Sequence, residues 1–462
     1  MPLARIPQWP FLFHEPNLAH PAVAKLPDVH GRLTLGGNAM FGCSEHEEHR
    51  RVDDALTEHL ATPTRLDRLT RTDTLNADGV KQAWEGRRIS RRDFLVSSSA
   101  MALAAAAPSI LTMPVAAYEG DGGTGPVTII ESIPGETVRL GQFRMDVPDV
   151  ATVESGAIVR YTNTLTHFFG ALQPGLTIQQ IAQMRLDNPG KGPHSIIGPV
   201  AVRGAKLGDM LEVRFRKLKP INFGANFHNP LVPGIRTGAL PDEFPAGQVI
   251  FFDWEEDSKS TQFRPGMKIP LAPFQGTFGL APRGTDAFVS SVPPWQHAGN
   301  IDLREMVAGS KLFIPVWRDG ARIYTGDSHV AQGDGEVNLT AIESAMKEIE
   351  IQVVLHPGSL VAVAEDERWP MVETQTHWIC VAEGKPVPDQ ATAFRSAFLR
   401  ALHNVINFLS TKAGLTRDDA YALSSIAVSF RITQVVDVNI GVHAMIPKSI
   451  FDEDLRQSIQ VA

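Results

Sequence analysis

After a glycine-rich lead-in over residues 119–126, apolar and polar side chains alternate in short runs. Asp209 to Lys217 sets Leu211, Val213 and Phe215 against Glu212, Arg214 and Arg216. A period of two puts those apolar groups on one face, which is the pattern of a strand buried on one side. Glu348 to Leu355 alternates likewise through Ile349, Ile351 and Val353, and Lys311 to Val316 reads as an apolar strand. Glycines (38) and prolines (33) punctuate the runs as turns. The pattern predicts a mainly β fold of antiparallel, sandwich-like sheets with a few helices near the C-terminus, α+β by strict count. A helical period emerges late: Phe394, Phe398, Leu402, Val405, Ile406 and Leu409 recur at that spacing, with Asp389 placed to cap and Gly414 following. A second helix is predicted from Thr416, with Asp419 three residues on as a carboxylate variant of the capping box.

The first 117 residues do not share this pattern. Residues 1–86 are polar and proline-containing with little periodicity. They read as disordered, or as an extension preceding the true start of translation. Residues 87–117 differ: Ser90-Arg91-Arg92-Asp93-Phe94-Leu95-Val96 precedes an alanine-rich apolar run ending at Val115-Ala116-Ala117. Paired arginines, a modest apolar stretch and small residues at the end resemble a twin-arginine export signal, cleaved near Ala117. Pro108 and Pro114 interrupt the run, so a stable membrane anchor is not expected. The expected product is a periplasmic or secreted domain over 118–462, delivered by the twin-arginine export machinery.

Composition narrows the chemistry. The chain is 43% hydrophobic and 20% charged, with a net charge of -8 and no basic run, so no nucleic-acid footprint is expected. Its two cysteines, Cys43 and Cys380, exclude a disulfide framework and a cysteine-based zinc site. Cys380 sits in an apolar run and reads as a small buried hydrophobe rather than a nucleophile.

One stretch carries most of the reactive side chains. Gly326 to Glu343 packs Asp327, His329, Asp334, Glu336, Glu343, Gln332 and three glycines together. An imidazole among several carboxylates is what a divalent cation needs as ligands. Glycines let the backbone turn so that such side chains converge. The stretch is expected to form an ordered turn at a sheet edge.

These residues belong to a larger set of ordered blocks: Gly198-Pro199-Val200, Pro273 to Thr277, Gly299-Asn300-Ile301-Asp302, Gly326-Asp327-Ser328-His329, Gln332 to Glu336 and Thr340 to Glu343. Together the blocks resemble the acetamidase/formamidase family over about residues 150–451. Ala298 departs from the pattern, since the family usually has a second glycine there. The resemblance implies hydrolysis of short amides to a carboxylate and ammonia, and a homo-oligomer. Two rivals stay open: hydrolysis of another C–N bond such as a small lactam, and a non-catalytic periplasmic ligand-binding sandwich.

Amide hydrolysis needs a strong nucleophile, a polarised carbonyl and a proton for the leaving nitrogen. A divalent metal meets the first two needs, zinc being the first choice and calcium the second. The candidate metal ligands are His329, Asp302, His194 and Asp327. Each has an alternative: a loop-bonding histidine for His329, a helix cap for Asp302, a structural histidine for His194, and an orienting or turn-forming carboxylate for Asp327. Glu336 is the candidate general base and acid, with Asp334 as its catalytic companion; a surface turn charge or a fourth metal ligand is the competing reading for Glu336. Gln332 and His167 are candidates for substrate binding, although the phenylalanines after His167 suit a packed wall equally. Glu343 is expected to pair with a buried partner.

Overall fold

The computed structural model describes residues 125–385 and 389–462. The N-terminal extension and the twin-arginine stretch lie outside the described residues. Two nine-stranded sheets dominate. The first runs in the order Val127–Glu131, Ile158–Thr162, Met346–His356, Met210–Pro220, Lys311–Pro315, Met371–Glu373, His377–Glu383, Gly441–Pro447, Ser429–Ile432. The second runs Ala298–Asn300, Phe274–Leu280, Ile323–His329, Glu343–Ser344, Phe223–His228, Gln248–Asp253. Strand Ser195–Val202 also pairs with Ile323–His329 and carries Val138–Leu140 and Ala151–Val153. All pairings are antiparallel except Val127–Glu131 on Ile158–Thr162 and Ala151–Val153 on Ser195–Val202.

The alternation seen in the sequence explains the sandwich. Leu211, Val213, Phe215, Ile349, Ile351 and Val353 of the first sheet share one buried cluster with Ile197, Val200, Phe274, Phe278 and Ile323 of the second. Phe215 meets Phe278 edge-on across the sheets at 5.3 Å between ring centroids. Each fully buried side chain of this size contributes about 1.5–3 kcal/mol. On the opposite face of the first sheet, Arg160 and Arg216 reach Glu350 at 2.7 and 3.0 Å, and Lys217 reaches Glu348 at 3.0 Å. Those polar alternates form cross-strand ion pairs.

Helix Gln390–Lys412 covers the far end of the first sheet. Asp389 caps it, accepting from the backbone N–H groups of Ala391 and Thr392, and Thr416 caps Arg417–Ala427 through Asp419 N–H. Its packing differs from the expectation in the first half. Ala393, Ala397 and Ala401 face Trp378, Cys380 and Ala382, whereas Phe394 is exposed. Small side chains let the helix lie close to the strands, and the bulky ones take over only from Val405 onward. Cys380 is buried in that contact, and burial pushes its thiol up to about 12. Among the described residues no helix is long and apolar enough to cross a membrane.

Candidate active site

The reactive stretch begins as an interior strand, not as a turn on a sheet edge. Ile323–His329 is flanked by Phe274–Leu280 on one side and by Ser195–Val202 and Glu343–Ser344 on the other. Neighbours on both sides satisfy its backbone groups, so its polar side chains are carried into the interior. The register sets His329 opposite both Phe274 and Glu343, and Thr277 opposite Gly326. Two glycines allow the close approach. A Cβ on Gly326 would meet Ser195 O at 2.5 Å, and one on Gly276 would meet His329 Cε1 at 2.5 Å and Asp302 Oδ1 at 2.6 Å.

Turn chemistry brings in the rest. Asp302, Asp327 and Glu336 all hold left-handed backbone, with φ of 47°, 51° and 46°. For residues other than glycine that costs about 1–3 kcal/mol each, and such strain gathers at functional sites. His167 opens a turn in which Phe168 and Phe169 are also left-handed. Strand Ser195–Val202 staples the turn: Phe169 N–H donates to Ser195 Oγ (2.9 Å), which donates to Thr166 O (2.7 Å). The His167 and His194 rings thereby lie 5.3 Å apart. On the far side, Gly335 N–H donates to Thr433 O and Val435 N–H to Gly335 O, both at 3.1 Å. This zips the loop of Glu336 to the loop of Asp437.

The result is a buried set of three imidazoles and five carboxylates: His167, His194, His329, Asp302, Asp327, Glu336, Glu343 and Asp437. His167 Nε2 lies 2.8 Å from Asp327 Oδ1 and 3.3 Å from Glu343 Oε2. His329 Nε2 lies 3.4 Å from Asp327 Oδ2 and 3.1 Å from Glu343 Oε2. His194 Nε2 is 3.8 Å from Asp327 Oδ2, and its Nδ1 is 2.9 Å from Ser291 Oγ. Gln332 Nε2 donates to Asp302 O at 2.8 Å, which leaves its Oε1 to accept from His329 Nδ1 at 3.0 Å. That assigns the proton to Nδ1 and turns Nε2 toward the carboxylates. Gln332 therefore orients His329.

The electrostatics follow from burial and crowding. Burial opposes the charge on Asp327, yet His194, His329 and His167 outweigh it and hold the carboxyl well below its usual range. Burial likewise opposes charge on His167, but Asp327 and Glu343 carry its pKa up to about 9. His194 goes the other way, down to about 4, because burial, with the His167 and Arg185 charges, outweighs Asp327 and Glu343. Burial raises Glu336 and Asp302 well above the carboxylate range, with other carboxylates adding to the effect. Asp437 rises to about 7 by burial.

Four groupings within this set place their ligand atoms close enough for one cation: His167, His194 and Asp327; Asp302, Asp327 and His329; His329, Glu336 and Glu343; and Asp302, Glu336 and Asp437. Both Asp302 oxygens and His167 Nδ1 are buried without a hydrogen-bond partner. Among the described residues no lysine or arginine forms an ion pair with any of the five carboxylates. A set of buried nitrogen and oxygen donors with no lysine or arginine ion pair among the described residues fits a divalent metal.

Most of the sequence-derived candidates converge here: His329, Asp302, His194, Asp327, Glu336, Gln332 and His167. Asp302 caps no helix, and His167 is a member of the imidazole–carboxylate cluster rather than a wall residue. Asp334 does not join them. It is exposed, 3.8 Å from Arg304 and 3.9 Å from Arg431, because the backbone at Glu336 turns that side chain inward and leaves Asp334 outside. Glu343 meets the buried partners expected of it, and they are the site histidines. Asp437 was not foreseen.

The family model for the Acetamidase/Formamidase family matches residues 137–287 and 285–453. The chain belongs to the acetamidase/formamidase family. It is similar to a formamidase of Methylophilus methylotrophus, 29% identical over 175 residues, covering 36% of this chain and 43% of that protein. An acetamidase of Mycolicibacterium smegmatis is 24% identical over 221 residues, covering 36% of this chain and 54% of that protein. The chain thus spans about half the length of these relatives. The crystal structure of an acetamidase from Bacillus halodurans superposes with a TM-score of 0.59 at 24% identity, covering 71% of this chain and 99% of that one. That likeness shows a shared fold.

Proposed function

We propose that this protein hydrolyses short-chain amides, formamide and acetamide foremost, to a carboxylate and ammonia. The observation that carries the reading is the buried set of three imidazoles and five carboxylates, formed where the family's blocks meet. His167, His194 and Asp327 would hold a divalent cation, with His329 and Glu343 adjoining; zinc suits the nitrogen content best and calcium is the second choice. Bound there, such a cation supplies Lewis acidity and lowers the pKa of coordinated water. The protein's own groups do the rest. Glu336, its carboxyl raised well above the usual range by burial, is the group placed to deliver a proton to the leaving nitrogen. Gln332 fixes the His329 ring through Nδ1. The burial of the whole set excludes bulk water and favours small substrates.

Export by the twin-arginine route belongs to the same proposal and is supported by Arg91-Arg92 and the apolar run that follows. N-terminal sequencing of periplasmic protein tests it. Function is tested by ammonia release from formamide, acetamide and a small lactam. Linear amides are expected to be turned over and the lactam to lag; preferential release from the lactam would move the assignment to a cyclic-amide hydrolase. Glu336→Gln is expected to abolish turnover while sparing metal content, and hydrolysis at the parental rate would remove Glu336 from its role.

A further inference from the structure

We infer that His443, Glu305 and Asp334 form a second divalent-cation site, separate from the buried cluster and independent of the hydrolase reading. One ligand atom from each of the three lies within 4.8 Å of the other two. Strand Gly441–Pro447 turns Val442, Ala444 and Ile446 toward helix Gln390–Lys412, and Met445 toward the sandwich interior. His443 alternates with the first set, so it lies on the interior side, where it is 1% exposed. Its Nδ1 is 2.9 Å from Thr433 Oγ1. Its Nε2 is buried with no hydrogen-bond partner and faces Glu305 Oε2, buried in the same condition, at 3.9 Å. That separation is too long for a hydrogen bond and suits two ligands of one ion, since groups about 2.0–2.2 Å from a metal stand about 3–4 Å from each other. Burial, with Arg431 and Arg304, holds the imidazole down to about 3, so the ring is uncharged near neutrality. With the proton on Nδ1 donated to Thr433, the lone pair of Nε2 is turned toward Glu305, which is how metal-bound histidines are held.

Backbone pairing brings the carboxylates to this ring. Gly335 N–H donates to Thr433 O, which sets Asp334 beside the partner of His443 Nδ1. Glu305 lies three residues beyond Asp302, so the site joins the two loops that supply Asp302 and Glu336 to the cluster. Two arginines stand at its rim and leave the facing oxygens free. Arg431 Nη1 takes the other oxygen of Glu305, Oε1, at 3.3 Å. Arg304 and Arg431 are 3.8 and 3.9 Å from Asp334, beyond hydrogen-bond reach. Both arginine side chains are more than 40% exposed, and surface pairs of this kind hold weakly, so they swing aside as a cation enters. One imidazole nitrogen and two carboxylate oxygens suit a borderline divalent ion, zinc first. The exposed side of Asp334 gives the ion its entry and leaves room for coordinating water. That openness and the nearby arginines make this the weaker of the two sites, filled from cation in solution. A cation held there ties both loops to strand Gly441–Pro447 and stabilises the fold by mass action.

The test titrates zinc into the purified protein after dialysis against metal-free buffer, by calorimetry, and follows Tm with and without added zinc. The parent is expected to take up one added equivalent and to gain Tm with it. His443→Gln and Glu305→Gln should each bind that equivalent about tenfold or more weakly and gain less Tm. Glu305→Gln lies in a loop and carries the comparison should the buried His443→Gln fold poorly. His167→Gln should keep the added equivalent at parental affinity, because its own site is the other one. A parent that takes up no added zinc would overturn the inference and leave His443 and Glu305 as a pair bridged by a proton or by water. Parental affinity in both His443→Gln and Glu305→Gln would overturn it too, as would loss of the added equivalent in His167→Gln, which would put that zinc in the buried cluster. Amide turnover is not part of the readout, so failure of the hydrolase reading leaves this result untouched.

Discussion

Adding one methyl group at Gly276 is a demanding probe of the site. The strand Phe274–Leu280 is buried along its whole length, and Gly276 faces the cluster. A Cβ there would lie 2.5 Å from His329 Cε1, 2.6 Å from Asp302 Oδ1 and 2.8 Å from His329 Nε2. Comfortable contact is about 3.5–4.0 Å, so the imidazole or the carboxylate must retreat by about 1 Å. His329 has little room to do so, because Gln332 holds Nδ1 and the Phe274 ring packs edge-on at 5.1 Å. Overpacking of this kind costs about 1–3 kcal/mol of stability. For a domain of this size that lowers Tm by about 1–2 °C per kcal/mol. Misplacing a reacting group by about 1 Å costs on the order of 10²-fold in rate. Gly276→Ala should therefore remain folded, lose metal and lose about 10²-fold in ammonia release. Gly333→Ala, in the same loop region as Glu336 but with open space around its Cβ position, is the control and should behave like the parent. A Gly276→Ala protein that keeps parental metal content and parental turnover would refute the proposed geometry around His329 and Asp302.

Three further outcomes follow from the same structure. Asp437→Asn should lower turnover, because Asp437 crowds Asp302 and Glu336 and helps raise their pKa values, whereas Asp334→Asn should stay near parent; rate assays on both variants decide the matter, and equal losses would contradict the placement of Asp334 outside the cluster. In the metal-free protein the raised His167 pKa favours the fold. That contribution is present in full below about pH 6.5 and is lost as pH rises through about 9; the Tm of chelated protein should fall over that window more steeply than the Tm of His167→Gln. Cys380→Ala should lose about 1 kcal/mol or somewhat more through the cavity it leaves but keep its activity, and iodoacetamide should not inactivate the parent, since the buried thiol is held at about 12.

The fold was legible where one physical signal acted alone. The alternation through Leu211, Val213 and Phe215 located a central strand, and Asp389 and Thr416 marked two helix starts, because capping and pleat are local effects. Packing was less legible: Ala393, Ala397 and Ala401 make the sheet contact that Phe394 was expected to share, since the choice of helix face depends on the surface opposite. In the site, His329, Asp327 and Asp302 stood out through their glycine-bracketed blocks. Glu343 gained its role from sheet register, which sets it opposite His329 across a gap that sequence spacing does not reveal. Asp437 was hidden in an apolar run, and only the pairing of its loop with Gly335 brings it in. Asp334 misled for the opposite reason. It shares the glycine-rich setting of Glu336, and a single left-handed residue separates an inward carboxylate from an outward one.

The measurement that bears most directly on the buried cluster is elemental analysis of the purified protein and of its His167→Gln and Asp327→Asn variants. A divalent cation bound at or above one equivalent in the parent and lost in both folded variants is the predicted result. Parent protein that is free of metal while releasing ammonia from formamide at an undiminished rate would contradict it.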